Sequence, residues 1–288
     1  MRPAALAVAV AAATGVQVGA SLVASRYVMA DLGPASVALL RYGIGVLCLL
    51  PLLLLRGRGP AIARRDLPAL IVLGILQFGV LIALLNYSLL HVTAARTALI
   101  FSAFPLLTLL LGAALGREAM SRAKVAGVLL TILGVGLALG EKALARGEGA
   151  WIGEAAAFAA ACCGATTTVM FRPYMQRYDA IPVGTLAMLA SVAVLLLPSL
   201  GEGLPAALPR LGAGQWAAML FIGISSGVFF ALWLWALRHA TASRVTVFQA
   251  LSPVTATILG AVLLAEPLTP GVVAGLAAVA AGLVVAHR

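Results

Sequence analysis

The sequence predicts an all-α integral membrane protein of ten transmembrane helices, arranged as two inverted-topology repeats of five helices each. Three observations carry that expectation. Of the 288 residues, 63% are hydrophobic and only 10% charged, and the mean hydropathy is +1.11; soluble chains average about 25% charged residues. An offset of 148 residues superimposes the chain on itself without a gap, pairing Gly79/Gly227, Ala83/Ala231, His91/His239, Arg96/Arg244, Pro105/Pro253, Gly112/Gly260, Glu118/Glu266, Gly127/Gly275 and Gly134/Gly282. Each copy holds five apolar runs, an odd number, so the second copy enters the membrane from the opposite side.

A membrane-spanning helix needs about 20 apolar residues. In the first half, apolar runs lie near 4–24, 35–55, 67–89, 95–115 and 122–139. The second half repeats them near 151–170, 181–198, 214–237, 241–264 and 270–286. The repeats are therefore 1–140 and 149–288, and the stretches 141–149 and 199–213 are loops. Arg2 and the small residues Ala9, Ala11 and Ala13 give the first run the look of a signal peptide. Gly15, however, has Cys163 as its repeat mate, inside a long apolar run, so the first run is expected to stay as a span.

Lysine and arginine in the short loops set the orientation. On the side of both termini stand Arg2, Arg56, Arg58, Arg64, Arg65, Arg117, Arg122, Lys124, Arg172, Arg177, Arg238, Arg244 and Arg288. The other side has Arg26, Arg96, Lys142, Arg146 and Arg210. Both termini are thus expected in the cytoplasm. Trp151 and Trp216 start helices on the far side, at headgroup depth. The net charge of +10 resides in these turns and forms no amphipathic stripe, which excludes nucleic acid as a partner. Cys48, Cys162 and Cys163 lie in apolar runs without metal or disulfide spacing, and read as packing residues. No cofactor or metal is expected.

Pro105 and Pro253 occupy equivalent places in the middle of the fourth and ninth spans. Each removes a helix hydrogen bond, and paired breaks in corresponding helices point to a substrate site. Beside them Phe101 and Gln249 are repeat mates, an aromatic ring opposite an amide, which suits a small amphipathic molecule. Span three carries Gln77, Leu84, Tyr87 and His91 at helical spacing, and span eight answers with Ser225, Leu232, Trp235 and His239. The recurrence predicts that this face points inward. Span one carries Thr14, Gln17, Ser21 and Ser25 down one side, a stripe that either lines a cavity or bonds helices together. Gly15 and Gly19 in the same span predict close helix packing.

Arg41 falls about 10 Å into the second span, where an arginine must snorkel or find a partner. Glu154 is the carboxylate expected within the membrane, so a structural ion pair of Glu154 with Arg41 or Arg96 is expected. Gly223, Ser225 and Gly227 spell the Gly-x-Ser-x-Gly string of hydrolases, yet in mid-helix rather than on a strand-to-helix turn. Without an intramembrane aspartate the string carries no triad, and an intramembrane enzyme is disfavoured. Glu118 and Glu266 end their helices and, with Ser121 and Thr269, read as caps.

The strings ALIFSAFPLLTLLLGAALGREAMSRAKVAGVLLTILGVGL (98–137) and VTVFQALSPVTATILGAVLLAEPLTPGVVAGLAAVAAGL (245–283) resemble the duplicated domain of EamA-type exporters, of the drug/metabolite transporter superfamily. The resemblance rests on the two prolines, Gly112/Gly260, Glu118/Glu266, the later glycines and Arg41 in a Leu-Leu-Arg-Tyr string, and covers the whole chain. It implies export of small metabolites, including amino acids and cationic drugs, across a bacterial inner membrane. It also implies that spans 1, 3, 4, 6, 8 and 9 enclose the cavity while 5 and 10 are peripheral. Phe101, Tyr87, Trp233 and Trp235 point within the family to aromatic amino acid exporters. Leu189 stands where Arg41 has its repeat mate, so the halves differ there.

The expected function is alternating-access export, the two five-helix halves rocking about the level of Pro105 and Pro253. No Asp or Glu lies near the centre of a span, so gradient-driven movement without protons stands beside proton antiport. A channel would need charged rings in several spans, which the sequence lacks. The glycines of spans five and ten suit packing on neighbouring helices or in a homodimer.

Overall fold

A computed structural model describes residues 3–55, 61–117, 121–140, 150–265 and 270–286. Within them every regular element is helical. In chain order the long ones are α1 (Pro3–Val28), α2 (Pro34–Leu55), α3 (Arg64–His91), α4 (Ala94–Ala114), α5 (Arg122–Gly140), α6 (Ala150–Met175), α7 (Ala180–Gly201), α8 (Ala213–His239), α9 (residues 242–264) and α10 (Pro270–Ala286). In the stretch 199–213, expected as a loop, α7 runs on to Gly201 and a short helix, Leu204–Ala207, with a 3₁₀ turn, Leu208–Arg210, follows it. Among the described residues six helices, α2, α3, α4, α6, α7 and α8, are long and apolar enough to cross a membrane. The apolar runs thus became helices with nearly the expected bounds. α1 and α6 run past theirs, through Arg26 and Arg172, because a polar residue at a membrane helix end need not stop the helix. Glu118, Glu266 and Thr269, read as caps, lie outside the described residues, as do Arg2, Arg56, Arg58, Lys142, Arg146 and Arg288 of the charge comparison.

Two sets of polar contacts sort the helix ends. At one end Glu202, after α7, accepts from Ala35 N (3.0 Å), Ser36 N (2.7 Å) and Ser36 Oγ (2.7 Å) at the start of α2. A carboxylate there satisfies backbone donors that the first helical turn leaves free, and meets the positive end of the helix dipole. At the same end Arg26, late in α1, donates to the carbonyls of Leu89 (2.5 Å) and Val92 (2.6 Å) where α3 finishes. Gln215, in the first turn of α8, donates to Asp31. At the opposite end Tyr178, between α6 and α7, donates to Asp66 at the start of α3 (2.6 Å), and Arg238 at the end of α8 pairs with Asp179 (2.9 Å).

Helices of the two halves interleave. α1 packs on α8 and α9, while its repeat mate α6 packs on α3 and α4; α2 lies against α7 and α8, and α7 against α2 and α3. α5 and α10 lie along each other at the side. Every such contact maps onto another, or onto itself, when the repeats are exchanged. The closest approaches need missing side chains. A Cβ on Gly15 or Gly19 would run into the carbonyl oxygen of Phe248 or Ser252 on α9, and a Cβ on Gly227 into the backbone of Gly45 on α2. Gly223 sits against Ile44 and the Arg41 carbonyl. The Gly-x-Ser-x-Gly string is therefore where α8 crosses α2, a packing role rather than a nucleophile elbow.

Candidate functional site: a central cavity between the repeats

A cavity opens where α1, α2, α3, α4, α6, α8 and α9 meet. Its shape begins with the prolines. Pro105 has no N–H for the carbonyl of Phe101, four residues earlier, and Pro253 has none for that of Gln249. Both helices are interrupted at those levels. α4 stops at Phe101 and restarts at Phe104, with Ser102 and Ala103 bridging by three-residue bonds to Leu99 and Ile100. α9 runs Ala242–Thr246, tightens into a 3₁₀ turn over Val247–Ala250, and resumes as Leu251–Leu264. The expected kinks are thus a two-residue interruption of α4 and a 3₁₀ tightening of α9, and the repeat mates Phe101 and Gln249 at those levels stand on the cavity wall.

Gln17 comes from α1, buried to 7% exposure, its Nε2 donating to Ser21 Oγ (2.6 Å) and Ser225 Oγ (3.0 Å). Thr14 lines the wall with it, while Gly15 and Gly19 on the next face hold α9, so the first helix divides its faces between cavity and packing. Ser21 is behind the wall as the partner of Gln17, and Ser25 is buried. Aromatic rings supply much of the rest. Phe101 stacks on Phe104 (centroids 5.4 Å apart), Phe104 tilts toward Trp233 (6.2 Å), and Phe78 meets Tyr42 (4.6 Å) and Phe230 (4.3 Å) edge-on. Gln77 lines the cavity and accepts a hydrogen bond from Thr167. Gln249 is 5% exposed, and its Oε1 has no donor.

Not every expected residue arrives. Tyr87 and His91 are exposed, stacked on each other at 4.9 Å, and are not on the cavity wall. The reason is local. Over Ile75–Val80 the helix α3 bonds in π fashion, Leu81 N donating to Leu76 O, which inserts one extra residue into the turn and sets back everything after it. Leu81, Ile82 and Leu85 take the inward positions, and Tyr87 swings to the far side. On α8, Trp235 pairs with His239 (4.2 Å) outside the wall, and Trp233, Phe229 and Phe230 face in. Phe229 and Trp233 stand four apart on one helix, a spacing that could have marked them in the sequence. Ser226 and Tyr42 carried no such signal.

The ion pair is Arg96 with Glu154, from the starts of α4 and α6, with side chains 14% and 19% exposed. Arg41 does not take part, although its depth allowed it. It lies on the cavity wall instead, its Nε donating to Ser226 Oγ at 2.7 Å and its guanidinium 5.4 Å from the ring centre of Tyr42.

A multi-helix bundle with apolar membrane-length helices around a central, mostly apolar cavity defines a multi-pass membrane protein. The chain belongs to the EamA-like transporter family, whose model matches it twice, over residues 5–140 and 151–287. A transporter of Archaeoglobus fulgidus, itself uncharacterized, is 29% identical over 273 residues, 94% of each chain. A probable terminal-alkyne amino-acid exporter of Streptantibioticus cattleyicolor is 28% identical over 228 residues, 78% of this chain and 74% of that one. A Bacillus subtilis transporter, also uncharacterized, is 26% identical over 246 residues, 84% of this chain and 80% of that one. A crystal structure with 22% sequence identity superimposes with a TM-score of 0.78 over 98% of both chains, so the fold is shared.

Proposed function

We propose that this transporter exports amino acids, aromatic or otherwise neutral, across a bacterial inner membrane by alternating access. The observation that carries the reading is the cavity between the two repeats, with the paired breaks of α4 and α9 on its wall. An aromatic wall takes an apolar side chain, while Gln17, Gln77 and Gln249 supply amide dipoles for the polar end. The exporter from Streptantibioticus cattleyicolor, named for an amino acid, supports the substrate class.

In this reading the chain spans the membrane ten times, as two five-helix repeats of opposite topology, with both termini cytoplasmic. The sorting of helix ends supports it. α1 ends where its mate α6 begins, and α2 begins where its mate α7 ends. The interleaved packing supports a different pair of rocking bodies from the sequence halves. Because α1 packs with α8 and α9, and α6 with α3 and α4, the moving units are these two triplets rather than the sequence halves. Arg26 crosses from one triplet to the other at the Glu154 end, and Gln176, just past the end of α6, does so at the opposite end by donating to the Arg238 carbonyl of α8.

Counterflow into proteoliposomes tests the function. Vesicles preloaded with unlabelled amino acids should accumulate labelled amino acid transiently, with saturable kinetics, and competition should rank apolar and aromatic side chains first. No saturable uptake with any amino acid would remove the amino acid reading.

A further inference from the structure

Among the described lining residues Arg41 is the one charged side chain of the cavity. It is 7% exposed, and Ser226 takes only its Nε. No described carboxylate neutralises it, because each has another partner: Asp31 holds Gln215, Asp66 holds Tyr178, Glu154 holds Arg96, Asp179 holds Arg238, and Glu202 caps α2. Tyr42 stabilises a cation through its ring face but contributes no negative charge. A buried guanidinium without a counterion is costly in an apolar setting, so something must supply the anion. The wall also carries the opposite need, since Gln249 Oε1 is buried without a donor.

We propose that Arg41 binds the carboxylate of the transported molecule, so that the cavity selects compounds carrying a carboxylate on an apolar body and refuses cations that lack one. The proposal rests on the transporter reading above and gives its site a polarity. Ser226 fixes the guanidinium through Nε, leaving its two terminal nitrogens for a bidentate bond to a carboxylate, a geometry that lysine lacks. The rings of Phe101, Phe104, Phe230 and Trp233 receive the apolar body. Gln249 Oε1 accepts from an ammonium group where the molecule has one. A cationic drug would bring a second positive charge beside Arg41 in a site of low dielectric, where like charges repel strongly. The asymmetry of the repeat agrees with one anion site: Leu189, the mate of Arg41, is exposed and apolar.

The test is direct binding to the purified protein by calorimetry, which does not depend on transport. Phenylalanine, 3-phenylpropanoate, phenylalaninamide and phenethylamine share a ring and differ in charge; the other proteinogenic amino acids and straight-chain carboxylic acids complete the panel. The carboxylate-bearing compounds should bind at least tenfold more tightly than their amide or amine counterparts. Arg41→Gln should erase that preference, weakening the carboxylates and relieving the repulsion of the amide and amine cations, and Arg41→Lys should restore part of it. Ser226→Ala, which frees the guanidinium without removing it, gives a milder loss and serves if Arg41→Gln does not fold. Binding of 3-phenylpropanoate without any amino acid would support the role of Arg41 and overturn the amino acid reading. Phenethylamine binding as tightly as phenylalanine, a preference that survives Arg41→Gln, or no carboxylate bound at all would overturn the proposal.

Discussion

Leucine in place of Gly15 or Gly19 is expected to abolish transport. Both glycines sit where α1 crosses the broken helix α9, and the atoms a side chain would meet are mainly backbone. A Cβ at Gly19 would strike the Ser252 carbonyl oxygen and lie 2.8 Å from Thr255 Cβ and 3.0 Å from Ala256 N; one at Gly15 would strike the Phe248 carbonyl oxygen and lie 3.3 Å from Leu251 Cβ. Backbone held by its own helix cannot rotate aside as a side chain can. Phe248 adjoins Gln249, so any retreat of α9 drags a cavity residue with it. Alanine should cost roughly 1–3 kcal/mol, as overpacking usually does, and leucine more. Counterflow should fall at least tenfold for leucine at either position. Gly43, on α2, has nothing within 4 Å of an added Cβ, so Gly43→Ala should change stability by no more than about 0.5 kcal/mol. Similar losses at Gly43 and Gly19 would contradict the packing described here.

Exchange is expected to outrun net efflux by about an order of magnitude, and a proton gradient to matter little. Among the described lining residues there is no carboxylate and no histidine, the side chains that usually carry a proton through a transport cycle. The empty cavity leaves Arg41 without a counterion, and turning an empty carrier exposes that charge to a changing apolar wall. A bound carboxylate removes the penalty. Loaded carriers should therefore turn over faster than empty ones, which appears as trans-stimulation in preloaded vesicles. An imposed gradient of one pH unit should change the rate less than twofold. Stimulation of several-fold by the gradient, with no gain from trans substrate, would mean a proton-coupled cycle.

Much of this architecture can be read from the amino acids. Apolar runs of membrane length, punctuated by charge and glycine, mark the helices to within a few residues because the bilayer forces both length and composition. Pro105 and Pro253 mark the breaks because a missing N–H has the same consequence in any helix, and their i−4 neighbours Phe101 and Gln249 follow. What stays hidden depends on turns and neighbours. The π segment at Ile75–Val80 contains no proline and has no pattern that sets it apart from an α-helix, yet it redirects Tyr87 and His91. Hydropathy gives Arg41 and Arg96 similar claims on Glu154. Only the adjacency of α4 and α6 decides between them, and it leaves Arg41 to the cavity. The interleaving of helices from the two halves is likewise a property of tertiary contacts, which a repeat register does not contain.

Spin-label distances across the two ends of the cavity test alternating access most directly. With Cys48, Cys162 and Cys163 replaced, one pair of labels at His91 and Leu263 spans the Glu154 end, from α3 to α9, and a second pair at Leu115 and His239 spans the Asp66 end, from α4 to α8. All four positions are exposed in the structure. Adding the substrate identified by counterflow should shift the two distance distributions in opposite senses, one end widening as the other narrows. Distances that stay fixed at both ends, or widen together into an open pore, would contradict a carrier built on two rocking helix triplets.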